Sequence, residues 1–226
     1  MSDAQQRAAL DLLASTATAS GLPWSDDWRA PLTQLLTWLA RFSARTNLVG
    51  NHAPAVVARE HLLETLAVAA AVKRAEMQPA SIVDVGAGAG LELLMLGLWA
   101  PSAQLVAVEP RRKRADFIEL VGDAMGLGRR LEVVRSQVPP WLPATPFDLA
   151  TSRATFSPAQ WLVHAATLVG PAGLVAVHDA TKSDEPVAPT PTKHLVLAAE
   201  VPVPDRPSHR IGVYRHVGTA LESEGS

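Results

Sequence analysis

The 226-residue sequence contains no cysteine, and this absence excludes several classes of site. Disulfide bonds, thiolate metal sites and cysteine nucleophiles all require that side chain. Apolar runs of transmembrane length are lacking too, because the stretch from Leu91 to Trp99 is far shorter than the roughly 20 residues that a spanning helix needs. We therefore expect neither a cysteine-based site nor a membrane partner.

An excess of charge of one sign is also missing. The 20 Lys and Arg residues nearly balance the 22 Asp and Glu residues, which gives a formal net charge of −2. Any RNA partner must therefore be held by a local basic patch. Residues 1–11 are polar and of mixed charge, unlike a secretory signal, so we expect a cytoplasmic protein. The length and the 48% hydrophobic content favour a globular fold with a sizeable core.

Helical patterns precede residue 79. Apolar residues recur at helical spacing over residues 28–42 and again over residues 54–73, and the Ala-rich segment 3–19 predicts a weaker helix. From Ser81 onward, short apolar segments alternate with helical ones at 90–99, 111–125 and 157–169. This alternation predicts an α/β fold with a mostly parallel sheet. Seven strands are expected, near residues 81–85, 105–109, 131–134, 147–151, 173–178, 194–200 and 210–217.

These patterns divide the chain into three predicted parts. Residues 1–78 form an N-terminal helical extension packed on the sheet, residues 79–217 form a Rossmann-like core, and residues 218–226 form a disordered tail. Within the core, the proline-containing stretch 181–192 predicts a loop.

The most informative segment is the glycine turn, Asp84-Val85-Gly86-Ala87-Gly88-Ala89-Gly90-Leu91, which joins an apolar strand to a helix. Glycines let the backbone turn sharply and let a ligand come close. The dinucleotide fingerprint G-x-G-x-x-G would need a third glycine where Leu91 stands, and no Gly-Lys-Ser/Thr of a P-loop follows. Asp84 would repel a pyrophosphate but tolerate a cation. The turn therefore favours S-adenosylmethionine, which carries a sulfonium and an amine but no phosphate.

A second acid fits this interpretation. Glu109 closes the next apolar segment, about 20 residues after the turn, where an acid hydrogen-bonds ribose hydroxyls in such folds. The alternative is a strand-to-helix turn that binds no ligand. Open α/β sheets bind ligands beyond the carboxyl ends of their strands. That rule predicts one crevice lined by 84–90, 109–110, 136–139, 152–154 and 178–179.

The chain resembles class I S-adenosylmethionine-dependent methyltransferases and, within them, the ribosomal RNA small subunit methyltransferase G family, also called glucose-inhibited division protein B. Five motifs in the family's order carry this resemblance, from about Trp28 to about Tyr214. They are Asn47-Leu48, His61-Leu62-Leu63-Glu64-Thr65-Leu66, the glycine turn, Glu109-Pro110-Arg111-Arg112-Lys113-Arg114 with Phe117, and Ser152-Arg153-Ala154.

The sequence also departs from the family's motifs. Glu92 and Leu93 stand where the family usually has Pro-Gly, and His178-Asp179 stands where it usually has Lys-Gly. Gln137-Val138-Pro139 replaces an Arg-Ala/Val-Glu sequence, and the closing Arg-His-Leu is His209-Arg210-Ile211. The cofactor half is thus kept, whereas the substrate half has drifted.

The resemblance implies methyl transfer from S-adenosylmethionine to N7 of a guanine in 16S ribosomal RNA. N7 carries a lone pair and no proton, so catalysis needs positioning rather than a general base. We predict Arg153 and His178 as catalytic. The predicted cofactor-binding residues are Asp84, Gly86, Ala87, Gly88, Gly90, Leu91, Glu109, Pro110, Gln137, Val138, Pro139 and Arg153. The predicted substrate-binding residues are Asn47, His61, Arg111, Arg112, Lys113 and Arg114.

Several of these residues have a plainer interpretation. Arg153 could hold the cofactor carboxylate or guanine O6, or form a structural salt bridge with a neighbour such as Asp148. His61 could be a core histidine, and the basic run 111–114 could be a solvated helix face, with Arg129, Arg130 and Arg135 as possible extensions of an RNA-binding patch. Trp24, Trp28 and Trp38 are expected in the core, and Trp141 is a candidate for base stacking.

Two other functions stay open at this stage. The chain could methylate a small metabolite, or it could be a non-catalytic descendant that binds the cofactor or RNA. A basic rim on the crevice would favour RNA, and a closed apolar pocket would favour a metabolite. We expect a monomer, no metal, and small-subunit ribosomal RNA or a ribosomal particle as the partner.

Overall fold

A computed structural model of the chain describes residues 2–46, 48–139, 141–180 and 194–218. Helices begin where the sequence offers caps. Ser2 and Ser157 each accept a hydrogen bond from a backbone amide three residues on, and Gln5 and Gln160 reach back to complete the capping boxes. The helices are α1 (Asp3–Ala19), α2 (Arg29–Thr46), α3 (Pro54–Val57), α4 (Leu63–Arg74), α5 (Leu91–Trp99), α6 (Arg112–Ala124) and α7 (Pro158–Ala165).

A seven-stranded sheet forms the centre of the fold, in the order β3-β2-β1-β4-β5-β7-β6. Neighbouring strands from β3 to β5 are parallel, whereas β7 is antiparallel to both β5 and β6. The predicted Rossmann-like α/β fold with a seven-stranded, mostly parallel sheet is confirmed. The strands are β1 (Ser81–Val85), β2 (Gln104–Val108), β3 (Leu131–Val134), β4 (Phe147–Thr151), β5 (Val169–Asp179), β6 (Leu195–Val203) and β7 (Arg206–His216).

Alternate residues of the central strands enter two separate hydrophobic cores. On β1, Val83 and Val85 pack in the smaller core with Trp161 of α7. Ile82 packs in the larger core, which includes the buried residues of α1, α2, α4, α5 and α6. The N-terminal helices are thus part of the main core on one face of the sheet, and they bring α4 against β6 and β7.

The second N-terminal helical segment contains an irregularity that the apolar pattern does not reveal. A π-helical turn, Ala58–Leu62, separates α3 from α4. Such turns widen the helix locally and often occur at functional sites. Here the turn contains Glu60 and His61, and both line the cavity described below.

Strand β5 begins before its predicted start. Residues 170–173 read as a turn, because they combine two glycines with a proline. In the structure they belong to the strand, next to a register shift in the β4–β5 pairing, and Ala172 has a φ of 65°. A bulge therefore accommodates residues that locally favour a turn.

Some predictions fall outside the described residues. These are the role of Asn47, the loop at 181–192 and the tail beyond Gly218. Among the described residues, the structure has no helix that is long and apolar enough to cross a membrane.

Candidate functional site

The glycine turn leaves β1 at Val85 and enters α5 at Leu91. Gly86, Gly88 and Gly90 have φ values of 70°, 61° and 70°, in the left-handed region where a Cβ is costly. A Cβ at Gly86 would collide with the Thr155 side chain, and one at Gly90 would lie 2.9 Å from Cγ1 of Ile118. At Gly88 the nearest atom would be 3.9 Å away, so this backbone faces open space. Two glycines therefore allow close packing, and the third leaves room for a ligand.

Glu109 holds the glycine turn through hydrogen bonds with backbone amides. Its side chain is only 3% exposed, and its two carboxylate oxygens accept hydrogen bonds from the Gly88 and Arg111 amides, both at 2.9 Å. The sequence predicts a ribose contact for this acid. The structure gives it a bracing role between the turn and the start of α6, and its ribose contact stays a prediction.

A cavity of about 720 Å³ opens at the carboxyl ends of β1, β4 and β5. Its walls include the glycine turn, the π-helical turn with the start of α4, and the β6–β7 hairpin. Leu48 and Val49, Arg114 of α6, the segment 153–156 after β4 and residues 178–180 at the end of β5 complete the lining. This is the position that the strand-end rule predicts for a ligand site.

The structure brings about half of the predicted site residues to this cavity. The predicted residues in its lining are Asp84, Gly86, Ala87, Gly88, Leu91, Arg153, His178, His61 and Arg114. The predicted residues outside its lining are Gly90, Glu109, Pro110, Gln137, Val138, Pro139, Arg111, Arg112 and Lys113.

Glu64 holds the centre of an ionic cluster on the cavity wall. It is 5% exposed, and its Oε2 accepts a hydrogen bond from Nη1 of Arg153 at 3.1 Å. Its Oε1 accepts from Nη1 of Arg206, on the hairpin. Both arginines also donate to the Glu60 carbonyl oxygen, at 3.3 and 3.4 Å. One carboxylate of α4 therefore ties the end of β4 to the start of β7.

The prediction that Asp148 could form a salt bridge with Arg153 is wrong. Asp148 lies at the opposite end of β4, where its Oδ2 accepts hydrogen bonds from the Ala80 and Ser81 amides at 2.8 and 3.0 Å. Arg153 does form an ion pair, but its partner is Glu64.

His178 lies beside this cluster at the end of β5. Its Nε2 is 3.0 Å from Oε2 of Glu92, and its Nδ1 is 3.7 Å from Oε2 of Glu64. Glu92, in the first turn of α5, is 4% exposed and also accepts a hydrogen bond from the Thr151 hydroxyl. Burial acts to raise the pKa of Glu92, but the charges of His178 and Arg153 and the hydrogen bonds from His178 and Thr151 hold it at about 2.

Asp84 differs from Glu92, although both carboxyl groups are buried in the same cavity. Burial, together with the nearby charges of Glu92 and Glu109, raises the pKa of Asp84 well above its usual range, against the opposing effect of Arg153. A cation placed beside Asp84 would favour its ionised form. Asp84 is therefore suited to respond to a cationic ligand.

His61 is held neutral at the cavity wall. Burial, followed by the charges of Arg153 and Arg206, lowers the pKa of His61 to about 4. Its Nδ1 is buried and has no hydrogen-bond partner among the described residues. The substrate-binding role of His61 stays a prediction.

The basic residues beyond β2 separate into different environments. Arg114 reaches the cavity lining, and Arg112 is exposed beside Asp116 at 3.6 Å. Arg130 is not part of an RNA-binding patch, because its guanidinium donates to the carbonyl oxygens of Gly97, Ala100 and Ala103. Arg135 binds Asp116 at 2.6 Å. Among Arg129, Arg130 and Arg135, the residues considered as extensions of an RNA-binding patch, Arg130 thus has a structural role.

The tryptophans are mostly core residues, as expected. Trp24, Trp28 and Trp38 are partly buried against the larger core. Trp141 packs against the smaller core, 6.4 Å from Phe147 between ring centroids. It is absent from the cavity lining, which does not favour the stacking role.

Three participants in the cluster carry no assignment from the sequence: Glu64, Glu92 and Arg206. Glu64 lies within a quoted motif, one helical turn after Glu60 and His61, and this spacing could have placed it on the same face. Arg206 contacts Glu64 from 142 residues away, and no local pattern predicts such a pairing.

A metal centre finds no support in the described part of the chain. Nowhere in it do three or more His, Asp or Glu side chains come together in a way that could hold a metal ion.

Comparison with known proteins identifies relatives over most of the chain. Residues 29–203 match the family described as GidB, rRNA small subunit methyltransferase G. A relative named ribosomal RNA small subunit methyltransferase G from Methylibium petroleiphilum is 30% identical over 187 residues, which cover 82% of this chain and 84% of the relative. The protein of the same name from Myxococcus xanthus is 32% identical over 73% of this chain and 75% of its own length.

Solved structures support the fold. The mitomycin 7-O-methyltransferase MmcR superimposes with a TM-score of 0.57 and 18% identity, covering 92% of this chain and 67% of that protein. The similarity at this identity concerns the fold alone. The family match spans more than half of the chain, and the predicted resemblance is confirmed. This chain belongs to the rRNA small subunit methyltransferase G family.

Proposed function

We propose that this protein transfers a methyl group from S-adenosylmethionine to N7 of a guanine in small-subunit (16S) ribosomal RNA. Family membership over residues 29–203 is the observation that carries the proposal. It makes the chain a methyltransferase, as predicted, with S-adenosylmethionine as its methyl donor.

The glycine turn and its surroundings fit that cofactor. The cavity of about 720 Å³ lies within the range of small-molecule pockets, and the open backbone at Gly88 lets a ligand approach without a side chain in the way. When bound, the cofactor supplies a methyl group on a positively charged sulfur. Asp84 sits beside the turn, where its carboxyl group would stabilise such a positive charge.

The protein's own contribution is positioning. Guanine N7 has a lone pair and no proton, so no side chain has to remove one. Arg153 lies at the end of β4 on the cavity wall, where a guanidinium can hold a carboxylate or guanine O6. Neutral His61 lines the same space. These residues can orient the base without acting on the reacting nitrogen.

The polar lining of the cavity favours RNA over an apolar metabolite. Arg114, Arg206, His209 and Arg210 line it on the side of α6 and the hairpin. Arg112 and Lys113 add exposed positive charge at the start of α6. Basic side chains at the rim are suited to phosphates, and a closed apolar pocket is not what the described residues form. These side chains are our candidates for the local basic patch that RNA binding requires at a net charge of −2.

We extend the proposal to the form of the RNA, the location of the protein and its oligomeric state. The substrate is ribosomal RNA or an assembling ribosomal particle, and the protein acts in the cytoplasm as a monomer. Sites that need only positioned side chains and one cofactor require no partner copy.

Methyl transfer from labelled S-adenosylmethionine tests the proposal. Unmethylated small-subunit particles and their naked RNA are the two substrates, and nucleoside mass analysis identifies the product. We expect label in 7-methylguanosine. Label in another nucleoside would overturn the N7 assignment. Cofactor binding with no label in either RNA would overturn the RNA substrate, and a screen of small metabolites would then be required.

A further inference from the structure

Two departures from the family's motifs contact each other. Glu92 lies at the start of α5 and His178 at the end of β5, at two positions where the sequence differs from the motifs that it resembles. They are 86 residues apart in sequence, yet Nε2 of His178 lies 3.1 Å from Oε1 and 3.0 Å from Oε2 of Glu92. The two residues therefore form one interaction at the floor of the cavity.

The geometry indicates that this interaction is an ion pair. Each ring nitrogen of His178 faces a carboxylate: Nε2 faces Glu92, and Nδ1 faces Glu64 at 3.7 Å. A nitrogen without a proton would present its lone pair to a negative oxygen, which is unfavourable. Nε2 therefore donates to Glu92, whereas Nδ1 is buried, makes no hydrogen bond with the described residues and contacts Glu64 only electrostatically. Glu92 is 4% exposed, and a buried carboxylate without a cation beside it would be strongly destabilising.

His178 and Arg153 share one oxygen of Glu64. Oε2 of Glu64 accepts the hydrogen bond from Nη1 of Arg153 at 3.1 Å and faces Nδ1 of His178 at 3.7 Å. Oε1 of the same carboxylate is taken by Arg206. A change at His178 therefore alters the position of Oε2 first, and with it the guanidinium of Arg153.

We propose that the Glu92–His178 pair is a positioning device that, through Glu64, fixes the guanidinium of Arg153 against the cavity. This inference rests on the proposed function, because it assigns Arg153 to a bound anionic or carbonyl group of the cofactor or the RNA. His178 then transfers no proton during the reaction. Its charge neutralises two buried carboxylates, and its ring keeps them at a fixed separation.

A double-mutant cycle on His178 and Arg153 tests this positioning role. The four proteins are the wild type, His178→Asn, Arg153→Ala and the double variant, and the measured quantities are the Kd for S-adenosylmethionine and the Kd for naked small-subunit RNA. We expect His178→Asn to weaken the same ligand as Arg153→Ala, by about 10- to 100-fold, the range for a hydrogen bond to a charged group. In the Arg153→Ala background the same change should cost less than about threefold, because its effect runs through Arg153.

Two further variants test whether a positive charge at position 178 is sufficient for binding and whether the effect is specific to the cavity. His178→Lys keeps a positive charge beside Glu92 and should bind both ligands within about threefold of the wild type, whereas His178→Asn, which carries no charge, should not. His194→Asn, at a histidine outside the cavity lining, is the matched control and should change neither Kd. Thermal melting of each variant confirms that it folds.

Three outcomes would overturn the positioning role. His178→Asn could raise a Kd equally in the wild-type and Arg153→Ala backgrounds. It could raise the Kd of a different ligand from Arg153→Ala, or it could leave both Kd values unchanged. Both Kd values are equilibrium quantities, so this test does not depend on which nucleoside is methylated. A failure of the proposed function would appear separately, as the absence of label in 7-methylguanosine from the wild type.

Discussion

The two sides of the cavity are built in different ways. On the side of the glycine turn, the site is mostly backbone: three left-handed glycines and two amides held by Glu109. On the opposite side, it consists of side chains from distant segments, with Glu64 of α4 between Arg153 and Arg206. The backbone conformation of the turn depends mainly on its glycines, whereas the side-chain cluster depends on contacts between segments far apart in sequence. The first can stay constant while the second changes.

That difference explains where this chain departs from its family's motifs. The glycine turn matches the motif that the sequence resembles, whereas Glu92 and His178, where the sequence differs from those motifs, belong to the side-chain network. Glu92 and His178 pair with each other. A network of ion pairs can exchange partners in this way, but a tight turn cannot replace a glycine.

The largest effect should come from the backbone side. Gly86→Ala adds a Cβ that collides with the Thr155 side chain at a φ of 70°, so the turn must change shape. We expect the Kd for S-adenosylmethionine to rise roughly 100-fold, from the combined cost of strain and overpacking. Calorimetric titration measures it. Gly126→Ala is the control, because Gly126 also has a positive φ of 77° but open space around it. It should lower stability by about 1 kcal/mol without changing the Kd.

On the side-chain side, Glu64→Gln should cost stability. The variant leaves two arginines, 25% and 30% exposed, without a negative partner between them. We expect the free energy of unfolding to fall by about 2 kcal/mol, measured by denaturant titration. Glu132→Gln, at an exposed position of β3, is the matched control and should have no effect. Equal stability of both variants would mean that the cluster does not connect α4 to the hairpin.

Asp84→Asn should separate folding from binding. Because burial raises the pKa of Asp84 in the folded state, its contribution favours folding at acid pH and is lost as the pH rises through that raised pKa. We expect the asparagine variant to melt at a higher temperature than the wild type at neutral pH, and the difference to vanish below the unfolded pKa of roughly 4. Its affinity for S-adenosylmethionine should fall.

Asp148→Asn is the comparison variant for Asp84→Asn. Asp148 accepts hydrogen bonds from two backbone amides, so its replacement should lower the melting temperature instead of raising it. Melting curves from pH 3 to pH 8 measure both variants. A lower melting temperature for Asp84→Asn at neutral pH would contradict the assigned cost of ionising Asp84.

The smallest effect is expected where the hairpin meets the π-helical turn at the surface. Arg59 and Asp205 form an ion pair at 2.6 Å, but their side chains are 55% and 50% exposed. We expect Arg59→Ala to lower stability by under about 1 kcal/mol, because solvent screens such pairs. Denaturant titration at low and high salt checks this. A loss as large as that of Glu64→Gln would show that the hairpin is held at its tip instead of at the cavity.

The same contrast governs what the sequence could predict. The sheet, its helices and the glycine turn follow from periodicity and from glycine spacing, which act over short distances. The β5 bulge was missed, because residues 170–173 favour a turn locally while the sheet holds them as a strand. The Glu64–Arg206 contact was missed because it joins segments 142 residues apart. The brace formed by Glu109 was missed because a motif gives a residue's place but not its hydrogen bonds.

Nucleoside analysis of ribosomal RNA from cells tests the central claim most directly. Small-subunit RNA is purified from cells that lack the gene and from the same cells carrying either the wild type or Gly86→Ala, and 7-methylguanosine is quantified. We predict that one guanine loses its N7 methyl group without the gene, regains it with the wild type and does not regain it with Gly86→Ala. Unchanged 7-methylguanosine in cells without the gene would contradict the account.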